Sequence, residues 1–149
     1  KASRYYHYPS KLDLLVAIID PIVDHMRAVS ESLETVPYGA EGVRSVLRAY
    51  IRGMLANRDA GALCVRDTVA ILNAMADRNP DLFEFGRRLG DWLAGPDPTP
   101  ERKLRASAVL RVLEVALFSG EVAPEADEAL IEATLLDAAT CVLTACGTR

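Results

Sequence analysis

The residues with the clearest chemical potential lie near the start of the chain. Tyr5, Tyr6, His7 and Tyr8 are consecutive, and the stretch "SRYYHYPSKLDLLVAI" continues from them into an apolar pattern. Consecutive side chains point in different directions around a helix or turn, so at least half of these rings must face outward. Their hydroxyl and imidazole groups can donate hydrogen bonds to phosphate oxygens. The stretch therefore favours a surface that faces nucleic acid.

Charge is distributed unevenly along the sequence. Residues 1–11 contain Lys1, Arg4 and Lys11 and no acidic residue, which gives this end a charge of +3. The whole chain has a formal net charge of -4, so the remaining residues sum to -7. An acidic body repels a polyanion, and only the basic, aromatic end is suited to meet one.

The elements that must position this end are helices. The chain has 149 residues, of which 50% are hydrophobic and 26% charged, and this is a globular composition with enough length to bury a core. No segment shows sustained alternation of apolar and polar residues, so the sequence predicts an all-α fold. Apolar periodicity and caps predict helices over about 10–26, 40–57, 63–78, 82–93, 100–118 and 124–145.

Three local signals define the predicted boundaries. Ser10 is expected to cap the first helix, and Pro21 is expected to kink that helix or to end it near Asp20. A break is predicted at Asp59 to Gly61. Thr99 is expected to cap the fifth helix, with Pro100 at its first position.

The last two predicted helices are apolar on more than one face. Such helices are usually buried on two sides, and a chain of this size has little interior in which to bury both. Small residues would let these helices approach closely across a two-fold axis: they are Ala106, Ala108, Ala116, Ala138, Ala139 and Ala145. The sequence predicts a homodimer through about residues 100–118 and 124–145; the alternative is that both are ordinary core helices.

Catalytic and metal-binding patterns are weak. His25 lies beside Asp24 but lacks a further convincing ligand, and no HExxH or CxxC spacing occurs, so we expect a solvated or locally hydrogen-bonded histidine. No nucleophile elbow is present. The three cysteines are interpreted as reduced thiols, and no segment resembles a signal peptide or a membrane span. We therefore expect a cytoplasmic protein that is not an enzyme and has no cofactor, metal or membrane partner.

The segment "YYHYPSKLDLL" resembles the pattern L-Y-x-H-F-x-S-K-x-x-L-L of TetR-family transcriptional regulators, which joins the recognition helix to the next helix. Tyr, His, an aromatic residue, Ser-Lys and a Leu pair keep the spacing of that family. The resemblance implies that residues 1–11 are the remnant of a helix-turn-helix domain. It also implies that residues 12–149 are a TetR-like effector-binding and dimerisation domain. Arg4 departs from the family, which commonly has Leu at that position.

The resemblance implies a ligand-responsive regulator, a repressor that a small and mostly apolar effector releases from a palindromic operator. Matching by position assigns the contacts with operator DNA to Lys1, Ser3, Tyr5, Tyr6, His7 and Lys11. In this family the later helices surround a ligand cavity, for which the sequence offers Ile22, Met26, Tyr50, Met54, Asn73, Met75 and Trp92. The alternatives are an ordinary core for these residues, and an all-α small-molecule-binding or interaction module with no role on DNA for the whole chain.

Overall fold

A computed structural model describes residues 10–66, 73, 82–118 and 125–144 of the chain. These residues contain no strand, which confirms the all-α prediction. Their helices are α1 (Lys11–Ser32), α2 (Ala40–Ala56), α3 (Arg58–Arg66), α4 (Leu82–Ala94), α5 (Pro100–Phe118) and α6 (Glu128–Thr144).

The start of α1 confirms the predicted cap. Ser10 Oγ accepts a hydrogen bond from the backbone N–H of Asp13 at 3.1 Å and donates one to Asp13 Oδ2 at 2.6 Å. The alternative of a helix end near Asp20 was wrong, because α1 continues through Pro21 to Ser32. Pro21 lies on the exposed side of α1, where water can compensate for the hydrogen bond that proline cannot make.

The predicted break at Asp59 to Gly61 was also wrong. The interruption is confined to Asn57, whose side-chain amide donates to the carbonyl of Gly53 at 2.8 Å, and α3 begins at Arg58. Gly61 has a packing role instead, because a Cβ there would overlap the ring of Phe118. Most of the predicted helix 63–78 lies outside the described residues.

The boundaries of α4 and α5 agree with the sequence. Gly95 follows the end of α4 with a φ of 91°, a left-handed conformation that glycine tolerates. Thr99 Oγ1 accepts from the backbone N–H of Arg102 at 3.3 Å, and Pro100 is the first residue of α5. Both predictions at this boundary are confirmed.

The predicted start of α6 was too early. Residues 125–127 are not helical, and α6 begins at Glu128. Asp127 provides the cap, because its Oδ1 accepts from the backbone N–H of Leu130 at 2.8 Å. Pro124 itself lies outside the described residues.

The core is built around α2. This helix buries eight of its 17 residues, and it contacts α1, α3, α5 and α6. Leu47 and Ile51 are completely buried at its centre. A smaller cluster joins the first half of α1 to α4 through Val16, Ile19, Val23 and Phe85. The long helix α1 is therefore anchored on both α2 and α4.

Candidate functional site

The last two described helices expose several large apolar side chains. Large side chains are exposed along α5, with 72% of Leu104, 62% of Val112 and 62% of Val115 accessible. On α6, Leu130 and Val142 are exposed as well. We call the surface on which Val112 and Val142 lie together with Ala108 and Ala138 the α5–α6 face.

A groove of about 100 Å³ opens on this face. Its lining is entirely aliphatic and consists of Ala108, Val109, Val112, Leu113, Leu135, Ala138, Ala139 and Val142. The alanines leave the space between the two helices unfilled. A groove with this lining provides no hydrogen-bonding or charged group, so it suits an aliphatic side chain or another small apolar group.

Two arginines from neighbouring helices stabilise the C-terminal ends of α5 and α6. Arg105 Nη1 donates to the backbone carbonyl of Val142 at 3.0 Å, and Arg58 Nε donates to the carbonyl of Leu117 at 3.1 Å. Carbonyl groups in a last helical turn lack intrahelical partners and carry partial negative charge. The contact of Arg105 therefore joins α5 to α6, while that of Arg58 joins α3 to the end of α5.

A row of ion pairs joins α2 to α6. Arg44 pairs with Asp137 at 2.9 Å, while Arg48 and Arg52 share Glu132 at 3.5 and 2.7 Å. The hydrogen bond from Arg52 holds the pKa of Glu132 below its ordinary value. The arginines lie one helical turn apart, which brings all three to the side of α2 that faces the acidic residues of α6.

The structure brings most of the predicted pocket residues into one core. Ile22, Tyr50 and Met54 are buried, and Met26 and Trp92 pack against the same cluster as half-buried side chains. These five residues therefore belong to one apolar cluster of the core. Of the two remaining candidates for the pocket, Asn73 is helical with an exposed side chain, and Met75 lies outside the described residues.

Tyr50 is a buried residue of this core whose pKa is strongly raised. Burial raises the pKa of its hydroxyl, the negative charge of Glu114 raises it further, and Arg111 partly opposes the shift. The hydroxyl therefore stays protonated at any physiological pH. It can offer a hydrogen bond to a ligand that enters the core, but it cannot act as an anionic nucleophile.

His25, expected to be solvated or locally hydrogen-bonded, lies partly buried against α2. Its Nε2 is buried and has no hydrogen-bond partner within the described part of the chain, and its ring lies against Gly53 of α2. Burial lowers its pKa, while the carbonyls of Ala49 and Tyr50 have a smaller opposite effect. Over the residues that the structure describes, no group of three His, Cys, Asp or Glu side chains is arranged to hold a metal ion.

Almost all of the residues predicted to contact DNA lie outside the described part of the chain. Lys1, Ser3, Tyr5, Tyr6 and His7 lie outside the described residues, and Lys11 is the first residue of α1, with its side chain also outside them. Among the described helices, none has the length and apolarity needed to cross a bilayer.

No protein-family model matches the chain, and no curated protein or solved structure matches it. The likeness to TetR-family regulators therefore depends on the motif in the sequence. Sequence reasoning identified α5 and α6 as unusually apolar, but it did not single out Leu104, Val112, Val115, Leu130 and Val142. The sequence does contain a signal for these residues, because apolar residues of α5 and α6 occur at exposed positions as well as at buried ones.

Proposed function

We propose that this chain is the effector-sensing and dimerising part of a ligand-responsive transcriptional regulator of the TetR type. In this proposal it is a repressor that leaves a palindromic operator when a small, mostly apolar effector binds. The observation that carries the proposal is the segment "YYHYPSKLDLL", which leads directly into α1 through the Ser10 cap. Residues 1–11 belong to the DNA-binding domain, and residues 12–149 form the sensing and dimerising domain.

The DNA-facing residues of this proposal are chemically suited to phosphate and to base edges. Tyr5, Tyr6 and His7 provide hydrogen-bond donors, and Lys1 and Lys11 provide positive charge; Ser3 adds a hydroxyl. The acidic balance of the remaining chain restricts the contact to this end, because the body repels a polyanion.

The core offers a route from effector to DNA. Ile22 and Met26 of α1 pack in the same cluster as Tyr50 and Met54 of α2. An apolar effector that enters among them must displace packed side chains, and methionine adapts easily to such a change. Because α1 is a single helix from Lys11 to Ser32, a shift at Ile22 and Met26 moves its first turns as well. The proposed DNA-reading residues precede those turns.

Operator release then follows from geometry. A dimeric regulator docks on two half-sites about one helical turn apart, roughly 34–36 Å. An effector that favours the conformation with displaced α1 helices changes the separation of the two DNA-reading ends and disfavours simultaneous docking. The homodimer would form through α5 and α6, whose exposed apolar face and aliphatic groove support this part of the proposal.

Binding of the full-length protein to DNA from its own promoter region tests the proposal. We expect retardation of this DNA at low salt, with an affinity that falls steeply as salt increases. Lys11→Ala and Tyr5→Phe should weaken binding. Lys103→Ala, which removes an exposed lysine from the start of α5, is the matched control and should leave binding unchanged. A full-length protein that binds no such DNA at low salt would contradict the proposal.

A further inference from the structure

A close contact joins the second half of α1 to the C-terminal part of α2. The imidazole of His25 lies where a side chain at position 53 would otherwise stand, and Gly53 provides the space for it. The ring atoms nearest to that space are Nε2, Cδ2 and Cε1, so the Nε2 edge points toward the backbone of α2. Nε2 is buried, and within the described residues it has no hydrogen-bond partner. The contact therefore buries a polar atom whose hydrogen-bonding capacity is unused.

This arrangement suits a neutral imidazole better than a charged one. A neutral ring has one nitrogen without hydrogen, and burying an unpaired lone pair costs less free energy than burying a charged group. Protonation gives a hydrogen to both nitrogens, so the buried Nε2 becomes part of a cation. The backbone carbonyls of Ala49 and Tyr50 favour that charge, but burial outweighs them and lowers the pKa of His25. The site therefore holds the ring in its neutral form.

Among the described residues, no charged side chain is a cause of the shift in the pKa of His25. Asp24 and Arg27, beside it on α1, pair with each other at 2.6 Å, and the hydroxyl of Tyr50 on α2 stays protonated. The helices packed against α1 are α2, α3 and α4. The other charged groups of these four helices are exposed or have partners elsewhere: Asp20, Glu31, Glu41 and Asp59 are exposed, Arg44, Arg48 and Arg52 pair with α6, Arg58 donates to the carbonyl of Leu117, Glu84, Arg87 and Asp91 pair within α4, and Arg88 pairs with Glu34.

Pro21 gives α1 a point at which it can bend. It lies inside the helix, four residues before His25 and on the same side. Proline lacks the N–H that an α-helix uses, so one hydrogen bond of the helix is missing there and bending costs less than elsewhere. The contact of His25 with α2 lies one turn beyond this point. A change in that contact can therefore change the direction of the first half of α1.

We propose that the contact of His25 with Gly53 is a pH-sensitive switch between α1 and α2. The neutral imidazole occupies the space beside Gly53 and holds the two helices together. The protonated imidazole leaves that space for water, so that α1 moves away from α2 at this point and bends at Pro21. Because the open state takes up a proton more readily than the closed state, acidification shifts the population toward the open state. The proton is then a signal separate from the apolar effector, and only its consequence for DNA binding rests on the proposed function.

Amide hydrogen exchange of the full chain tests the switch, with each rate divided by that of an unstructured amide at the same pH. Measurements at pH 7.5 and pH 5.5 lie on either side of the ordinary histidine pKa of 6.5. Between them, the relative exchange of amides around His25 and Gly53 should accelerate by up to about tenfold, because the open state alone gains the proton over this range. Amides of α5 and α6 should change far less. The nuclear Overhauser effect between the imidazole and the Cα hydrogens of Gly53 should weaken over the same range.

Two variants separate the switch from a general effect of acid. His25→Gln keeps every carboxylate of the parent chain but cannot take up this proton, so it should lose the pH response. Gly53→Ala fills the space at both pH values, so amides around position 25 should already exchange fast at pH 7.5. The inference is wrong if exchange does not accelerate at pH 5.5, accelerates equally in α5 and α6, or keeps its pH response in His25→Gln. Binding of promoter DNA is measured separately: a pH response in a full-length protein that binds no DNA would contradict the proposed regulator and leave the switch standing.

Discussion

The ring of His25 on α1 occupies the space that a side chain at position 53 of α2 would need. A Cβ built on Gly53 would overlap Nε2, Cδ2 and Cε1 of the imidazole. Gly53 is itself buried in α2, so the glycine permits the close approach of the two helices. The contact lies beside Tyr50 and Met54, in the part of the core that we propose to sense the effector.

Replacing Gly53 by alanine should destabilise the protein. Alanine favours a helix over glycine by about 1 kcal/mol, but overlap with the imidazole should cost about 1–3 kcal/mol and force α1 away from α2. Gly86→Ala is the matched control, because nothing lies within 4 Å of a Cβ at this position of α4; it should stabilise by roughly 0.5–1 kcal/mol. Urea unfolding at neutral pH measures both free energies, and equal stabilisation by the two alanines would contradict the packing argument.

Removal of the His25 imidazole should abolish the destabilisation that Gly53→Ala causes. In a His25→Ala background, Gly53→Ala no longer meets a ring, so its cost should disappear and the helix-propensity gain should emerge. The double-mutant cycle isolates this pairwise term, which we expect to be about 1–3 kcal/mol. A cost of Gly53→Ala that persists in the His25→Ala background would place the clash elsewhere.

The stability of the protein should fall as the pH decreases past the ordinary titration range of histidine. Burial holds the pKa of His25 below its ordinary value of 6.5. The unfolded chain therefore binds a proton at a higher pH than the folded chain does, and the free energy of unfolding decreases as the pH falls through 6.5 toward the lower native pKa. Below the native pKa both states are protonated and this dependence ends.

Nuclear magnetic resonance of the imidazole measures that pKa directly. His25→Gln identifies the resonance of His25, since the sequence contains one other histidine, His7. Urea unfolding at pH 7.5 and pH 5.5 should then show a larger loss of stability for the parent chain than for His25→Gln. A native pKa at or above 6.5 would contradict the expectation.

The sequence was most informative where apolar periodicity and caps agree. Ser10 is followed by a helix with periodic apolar residues and Thr99 by Pro100 at a first helical position, and both caps are observed. Prediction failed where a local breaker signal competed with tertiary packing. Gly61 looks like a break, yet it lies inside α3 because the ring of Phe118 requires a glycine there. Pro21 looks like an end, yet α1 continues because its flanking apolar residues are buried on α2 and α4.

Candidate sites were harder to predict than helices. The exposure of apolar side chains on α5 and α6 could be anticipated from their broad apolarity, because each repeats apolar residues on more than one side. The groove between Ala108 and Ala138 could not be anticipated, because it depends on how α5 and α6 pack against each other, including the contact of Arg105 with Val142. The close contact between His25 and Gly53 could not be predicted either, since nothing in the sequence pairs residue 25 with residue 53.

Loss of the cap on α6 should destabilise the protein. The side chain of Arg105 is 26% exposed and donates to the carbonyl of Val142, so Arg105→Ala removes a charged hydrogen bond that should be worth about 1–2 kcal/mol. The control is Arg111→Ala on the same helix. Arg111 is 79% exposed and pairs with Glu114 within α5, so its loss should cost at most about 0.5 kcal/mol. Equal effects of the two substitutions on urea unfolding would exclude a capping role for Arg105.

Removal of a buried hydroxyl from α1 should leave the protein equally or more stable. Ser30 is 2% exposed, and among the described residues its Oγ has no hydrogen-bond partner. Folding therefore removes this hydroxyl from water without compensation, and Ser30→Ala should stabilise by up to about 1 kcal/mol. Ser32→Ala is the comparison, because Ser32 Oγ donates to the carbonyl of Val29 at 2.7 Å and its removal should cost roughly 0.5–1 kcal/mol. Urea unfolding of the two variants should thus give shifts of opposite sign; a larger loss for Ser30→Ala than for Ser32→Ala would mean that the Ser30 hydroxyl gains a partner in solution.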